Sequence, residues 1–206
     1  MDDLTVLEGQ VRACSRCRLS KTRKRAVPGE GPRLPKIMFI GEGPGFWEDE
    51  QGRPFVGQAG RLLEEMLASI ELRREDVFIT NVIKCRPPAN RDPLPDELEA
   101  CHGYLERQIA LLLPRLIVTL GRFSMAKFFP RGKGMRDLHG TTTTYRQITC
   151  LAVYHPAAAL RQVALKGVLQ QDFARIPALL AQAESRSDPT EPLLAPAPPP
   201  EQLSLF

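Results

Sequence analysis

The sequence predicts an α/β domain, a mostly parallel central sheet covered by helices on both faces. Three observations carry this. Short apolar or β-branched runs end in glycine or polar residues, segments with helical spacing of apolar residues separate them, and the two kinds alternate between residues 36 and 183.

KIMFIGEG, residues 36–43, reads as a buried strand stopped by a glycine loop. AGRLLEEMLASI (59–70) sets Leu62, Leu63, Met66, Leu67 and Ile70 on one helical face. VFITNVIK (77–84) is β-branched and strand-like, and DELEACHGYLERQIALLL (96–113) is a helix entered through Pro95. RLIVTLG (115–121) is a third strand, RFSMAKFF a short helix, LAVYHP (151–156) a fourth strand, and residues 158–183 a closing helix. Residues 130–147 read as a loop with room for an added hairpin, and no internal repeat is visible. Ligands of such sheets sit beyond the carboxyl ends of the strands, which directs attention to GEGPG, Asn81, GRF and HPAAALR.

With 206 residues, 43% of them hydrophobic, the chain suits one globular core, expected over residues 1–183. Residues 184–201 are rich in proline and small or polar side chains and are expected to be a disordered tether. No run approaches the ~20 apolar residues of a membrane span, and the acidic start MDDLTVLEG is unlike a signal peptide, so the chain reads as cytoplasmic. The net charge of +4 conceals a local excess: in RLSKTRKR, Arg18, Lys21, Arg23, Lys24 and Arg25 are basic and nothing is acidic. Such a run suits phosphates, though a solvated loop has the same composition.

Five cysteines in a reducing compartment argue against a disulfide framework. Cys14 and Cys17 form a CxxC, and Cys85 and Cys101 complete a set that fits zinc or an iron-sulfur cluster; the alternative is that the distant pair are small buried hydrophobes. Cys150 opens an apolar strand and reads as core. GEGPG is not a nucleotide loop, because Phe46 stands where GxGxxG needs its last glycine and no GK[ST] follows. The loop does carry carboxylates, Glu42 first, then Glu48, Asp49 and Glu50, which suit either general-base chemistry or a solvated surface.

Taken together, GEGPG, GRPFVGQAG (52–60), TNVIKCRPPANRDP (80–93) and YHPAAALR (154–161) resemble, in order and spacing, the family-4 uracil-DNA glycosylases, the iron-sulfur branch of that superfamily. The resemblance spans about residues 10–180 and implies a three-layer α/β/α fold around a four-stranded parallel sheet. It also implies that Cys14, Cys17, Cys85 and Cys101 hold a 4Fe-4S cluster, with zinc the alternative, and that the enzyme flips uracil out of DNA and hydrolyses its glycosidic bond.

By this resemblance Phe55 stacks on uracil, the Asn81 amide reads its Watson-Crick edge, and Gly41, Glu42 and Gly43 give backbone contacts. His155 is expected to donate a hydrogen bond to the developing negative charge on uracil O2. Glu42 and Glu48 are the candidates for water activation, since Gly43 replaces the acid used by the superfamily's best-known branch. The family's GEGPGEEED reads GEGPGFWED here, with Phe46 and Trp47 in place of two glutamates. The basic run, Asn90 of CRPPANRDP, Leu160 as wedge and Arg161 are expected to face DNA.

A catalytically altered protein of the same fold that binds uracil-containing DNA without releasing the base is the rival reading. The chain ends in QLSLF, where Gln202, Leu203, Leu205 and Phe206 resemble the pentapeptide by which bacterial repair proteins grip the sliding clamp. The enzyme itself is expected to be a monomer.

Overall fold

The structure, a computed structural model, describes residues 3–185. The expected clamp peptide at 202–206 and nearly all of the expected tether lie outside the described residues.

Helix α1 (Asp3–Arg12) buries Leu4, Leu7 and Val11, spaced to share one face. Strand β1 (Ile37–Gly41) is fully buried, as a central parallel strand must be. The expected loop beyond it contains a short helix, α2 (Phe46–Gln51), and α3 (Gln58–Ala68) buries the predicted Leu62, Leu63, Met66 and Leu67. Then come β2 (Phe78–Asn81), α4 (Pro95–Leu112), β3 (Leu116–Leu120), α5 (Arg122–Phe128) and α6 (Met135–Leu138). A hairpin of β4 (Thr142–Tyr145) and β5 (Ile148–Val153) leads to α7 (Pro156–Arg161), α8 (Ala164–Ala174) and α9 (Ile176–Ser185).

The strand order is β2-β1-β3-β5-β4, parallel except where β4 runs antiparallel to β5. The four expected strands are thus joined by a fifth. Its two-residue turn, Arg146 and Gln147, has φ of +47° and +66°, a conformation that matches the twist of a hairpin. Asn-Gly or Asp-Gly normally announces that turn, which is why Arg-Gln left the segment undecided.

The strands divide their side chains between two cores. Met38, Ile40, Ile117, Cys150 and Ala152 face α1 and α4, where Leu7, Val11, Leu105 and Ile109 cover them. Ile37, Phe39, Val118, Leu151 and Val153 face α3, α8 and α9, which supply Leu63, Met66, Leu169, Phe173 and Ile176. Cys150 is fully buried, as expected of core. Each large aliphatic side chain removed from water contributes about 1.5–3 kcal/mol to holding the layers together.

The single closing helix expected over 158–183 is three helices. Gln162 is extended, with φ −126° and ψ 98°, ending α7, and Pro177 sits in the first turn of α9, where its missing N–H is harmless. This break matters, because it leaves α7 free to stand over the carboxyl edge of the sheet. Among the described residues no helix is long and apolar enough to cross a membrane.

Candidate uracil-binding site

Parallel strands aim their carboxyl ends the same way, so the loops after β1, β2, β3 and β5 converge on one edge. There they enclose a cleft of about 490 Å³, within the range of small-molecule pockets. Glu42, Phe55, Asn81, Gly121, His155 and Arg161, six residues from distant parts of the chain, all line it.

Asn81, the last residue of β2, is 1% exposed, yet its side-chain Oδ1 has no hydrogen-bond partner among the described residues. Leaving such an acceptor unpaired costs about 1–3 kcal/mol. The cost persists because the surroundings fix the amide. A Cβ added to Gly41 would lie 2.4 Å from Asn81 Oδ1 and 2.6 Å from Phe55 Cζ, so only glycine lets the three meet. An orphaned acceptor facing a cleft is a binding group awaiting a donor.

Phe55 is held in a left-handed conformation, φ +51°, which a bulky residue adopts only under constraint. Arg74 supplies the constraint, donating from Nη1 to the Phe55 carbonyl at 2.7 Å and from Nη2 to the Pro54 carbonyl. Glu30 holds Arg74 in turn, accepting from its Nε at 2.6 Å while also pairing with Arg53. Gly60 makes room, since a Cβ there would sit 1.9 Å from the Phe55 carbonyl oxygen. The resulting Phe55 ring lies nearly parallel to His155, with centroids 5.5 Å apart.

The structure gives Glu48 a different task from the water activation expected of it. Its Oε1 accepts from Val56 N and Gly57 N, both at 2.9 Å, and its Oε2 from Gly45 N at 3.1 Å. With both oxygens engaged by backbone donors, Glu48 ties the glycine loop to the segment carrying Phe55. Glu42 is the contrary case: it is half-buried in the cleft and makes no side-chain hydrogen bond among the described residues. Burial pushes its pKa above the ordinary carboxylate value, neighbouring Asp92 adds to this, and Arg122 opposes it.

His155 caps α7. The Ala157 backbone N–H donates to its Nδ1 at 3.1 Å, so that nitrogen carries no proton and the neutral ring's remaining N–H is at Nε2. Burial pushes its pKa down to about 4, with Glu48 opposing and Arg161 assisting. The ring is therefore a neutral donor at physiological pH. The alanines that follow have distinct environments: Ala157 and Ala158 line the cleft, Ala159 is buried, and Leu160 is 47% exposed.

The basic run is less available to DNA than its composition suggested. Arg18 pairs with Asp96 and Lys24 with Glu50. Arg23 turns inward, donating to Cys85 Sγ at 3.0 Å, the Arg12 carbonyl at 3.0 Å and the Cys14 carbonyl at 2.7 Å. Lys21 and Arg25 are exposed and make no ion pair among the described residues. Asn90 stands at the cleft with its Oδ1 accepting from Arg86 Nε at 2.7 Å.

Cys14, Cys17, Cys85 and Cys101 line one further cavity, between the end of α1, the loop after β2, and α4. Among the described residues no three His, Cys, Asp or Glu side chains converge closely enough to hold a single metal ion. Burial raises the pKa of the Cys85 thiol to about 11, against the pull of Arg23, and raises that of Cys101 too.

Several site residues were missed in the sequence. Lys84 is fully buried, donating from Nζ to Thr80 Oγ1 and Gln108 Oε1, both at 2.6 Å, and to the Asn81 carbonyl at 2.7 Å. A lysine inside the apolar run VFITNVIK was the available signal. Arg74 and Arg91 had none. Arg91 forms a two-pronged bond to buried Glu97, at 2.8 and 2.6 Å, which fixes the loop before α4. His139, with no partner legible in sequence, meets Asp172 at 3.1 Å, and His102 meets Lys127 at 3.1 Å.

Comparison with known proteins agrees with this geometry. The family model described as the uracil DNA glycosylase superfamily matches residues 28–175. The type-4 uracil-DNA glycosylase of Sulfurisphaera tokodaii is 46% identical over 185 residues, covering 85% of this chain and 84% of the relative. That of Pyrobaculum aerophilum is 48% identical over 180 residues, covering 84% and 92%. A type-5 enzyme from Thermus thermophilus is more distant, 35% identical over 49% of this chain. The chain belongs to the uracil-DNA glycosylase superfamily, on its type-4 branch.

Proposed function

We propose that the protein draws uracil out of DNA and hydrolyses its N-glycosidic bond, releasing free uracil and leaving an abasic site for base-excision repair. The observation that carries this reading is the buried Oδ1 of Asn81, unpartnered among the described residues. Uracil presents an N3–H donor beside an O4 acceptor, the complement of a fixed amide; cytosine presents the reverse and would leave both groups unpaired.

The other residues follow from the chemistry. The base must leave the stack to be reached, and Phe55 supplies an apolar wall for it. As the bond between C1′ and N1 breaks, its electron pair passes to uracil and charge builds on O2. The Nε2–H of neutral His155 donates to that oxygen without surrendering its proton, which stabilises the transition state electrostatically. Water adds to C1′ on the opposite side and loses its proton to Glu42, a cleft carboxylate that makes no side-chain hydrogen bond among the described residues. Glu48 and Arg74 act as positioning residues. Leu160 fills the space vacated by the flipped nucleotide, and Lys21, Arg25, Asn90 and Arg161 meet the DNA backbone.

The four thiols line one cavity, which with the CxxC pair supports a 4Fe-4S cluster there, zinc being the alternative. Cys14 and Cys17 just after α1, Cys85 in the loop after β2 and Cys101 on α4 would hold the cluster, whose metal-thiolate bonds would cross-link these segments. Arg23, donating to Cys85 Sγ, offsets its negative charge. The C-terminal QLSLF gives the enzyme a docking peptide for the sliding clamp, which places a monomeric catalytic domain near replicating DNA in the cytoplasm.

The test uses labelled oligonucleotides with one uracil, opposite guanine, opposite adenine or in a single strand, followed by alkali. Strand scission by the wild type, with loss in Asn81→Ala and His155→Ala, is the expected result. Retention of the DNA with no abasic site supports the binding-only reading instead.

A further inference from the structure

Helix α2 opens with two aromatic side chains that face water. Phe46 is 47% and Trp47 is 56% exposed, and their rings meet edge to face with centroids 5.1 Å apart. Neither belongs to the two apolar cores. One exposed apolar residue is ordinary, but adjacent aromatic rings beside a ligand cleft form a recognition surface.

Both rings are tied to the rim of the uracil cleft. The Arg86 guanidinium lies 5.2 Å from the Phe46 ring centre, and its Nε donates to Asn90, which lines the cleft. Trp47 Cδ1 would be 3.5 Å from a Cβ on Gly57, whose N–H is held by Glu48 beside Phe55. Pro44 and Gly45, immediately before the pair, line the cleft itself. The aromatic surface therefore continues the wall that receives the flipped base.

Charge and shape select the occupant. Arg86 has no carboxylate partner among the described residues, so its cation, 5.2 Å from the Phe46 ring centre, is available to a phosphate. A nucleobase offers a π-face to such rings, but in a duplex both faces are covered by neighbouring bases; only an unpaired base can stack there. We propose that Phe46 and Trp47 form a stacking platform for an unpaired base flanking the extruded uracil, giving the enzyme a grip on single-stranded DNA. This rests on the glycosylase reading and deepens it, naming the form of DNA that the cleft's rim favours.

Trp47 is the one tryptophan in the chain, so emission excited selectively in tryptophan reports on this surface. The full-length holoprotein is titrated with a uracil-free single strand and with a blunt duplex of the same sequence, while anisotropy of labelled DNA follows binding. Saturable quenching by the single strand, and little by the duplex, is expected. Trp47→Ala and Phe46→Ala should each weaken single-strand binding about tenfold and duplex binding less than about twofold. The proposal is overturned by unchanged emission during saturable binding, by equal quenching with the duplex, or by wild-type affinity in both variants. Uracil release from a uracil-containing strand is measured separately: if it occurs while the emission stays flat, the platform fails and the glycosylase reading stands.

Discussion

The backbone N–H of Ala157 donates to Nδ1 of His155 over 3.1 Å, and this bond assigns the ring its tautomer. Burial of the same ring makes the stability of the fold sensitive to acid. The ordinary pKa of 6.5 falls to about 4 in the fold because burial disfavours the charged ring. Between those values the unfolded chain binds a proton that the folded chain refuses, so stability is full above about pH 6.5 and is lost as pH falls through about 4. The loss is on the order of 3 kcal/mol. Urea unfolding at pH 7, 5 and 4 should show this slope, and His155→Asn should flatten it. The same variant should lower single-turnover excision about 100- to 1,000-fold at pH 7.

Glu42 should set the acid limb of the pH-rate profile. Its pKa lies above the usual carboxylate value, chiefly through burial, so the ionised base that takes the proton from water is lost earlier than for an exposed glutamate as pH falls. In Glu42→Gln, excision should drop about 100-fold and the acid limb should disappear. A variant that keeps the limb assigns it to another group.

Arg74 acts on the base through Phe55. Arg74→Met removes the donors to the Pro54 and Phe55 carbonyls and leaves the left-handed residue without its restraint. The expected stability loss is about 2 kcal/mol, a fall of roughly 5 °C in Tm. KM for uracil-containing DNA should rise more than kcat falls, whereas a purely structural role would lower the active fraction and leave KM unchanged.

The thiol cavity makes a spectroscopic prediction. Anaerobically purified protein should show broad visible absorbance and contain iron, and Cys85→Ser or Cys101→Ser should lose both along with thermal stability. Arg23→Ala should keep the iron and make the absorbance bleach faster in air, since the donor to Cys85 Sγ is gone. A colourless protein that contains zinc would overturn the assignment.

Deleting residues 202–206 should abolish binding to the sliding clamp, read by surface plasmon resonance, and leave excision from short oligonucleotides unchanged. Loss of that excision would mean that the terminal peptide serves the catalytic domain.

Alternation of apolar runs with helical periodicities was enough to predict the α/β class and the edge of the sheet where the cleft lies, because burial writes a period into the sequence. Motif order was enough to bring Glu42, Phe55, Asn81 and His155 forward as one site. Local signals failed wherever the deciding contact was distant. The β4–β5 hairpin turns on Arg146 and Gln147, whose positive φ no residue preference announces, and α2 replaced an expected loop. Glu48 and Glu42 look alike in the sequence, yet backbone donors engage one at both side-chain oxygens, while the other's half-buried carboxylate makes no hydrogen bond among the described residues. Arg23 belongs to a basic run and spends its charge on a thiol 62 residues away. The sequence by itself determined which residue types were present and in what periodic order. Only the tertiary structure decided which were desolvated, paired or left open, since those depend on neighbours that chain closure brings within hydrogen-bond reach.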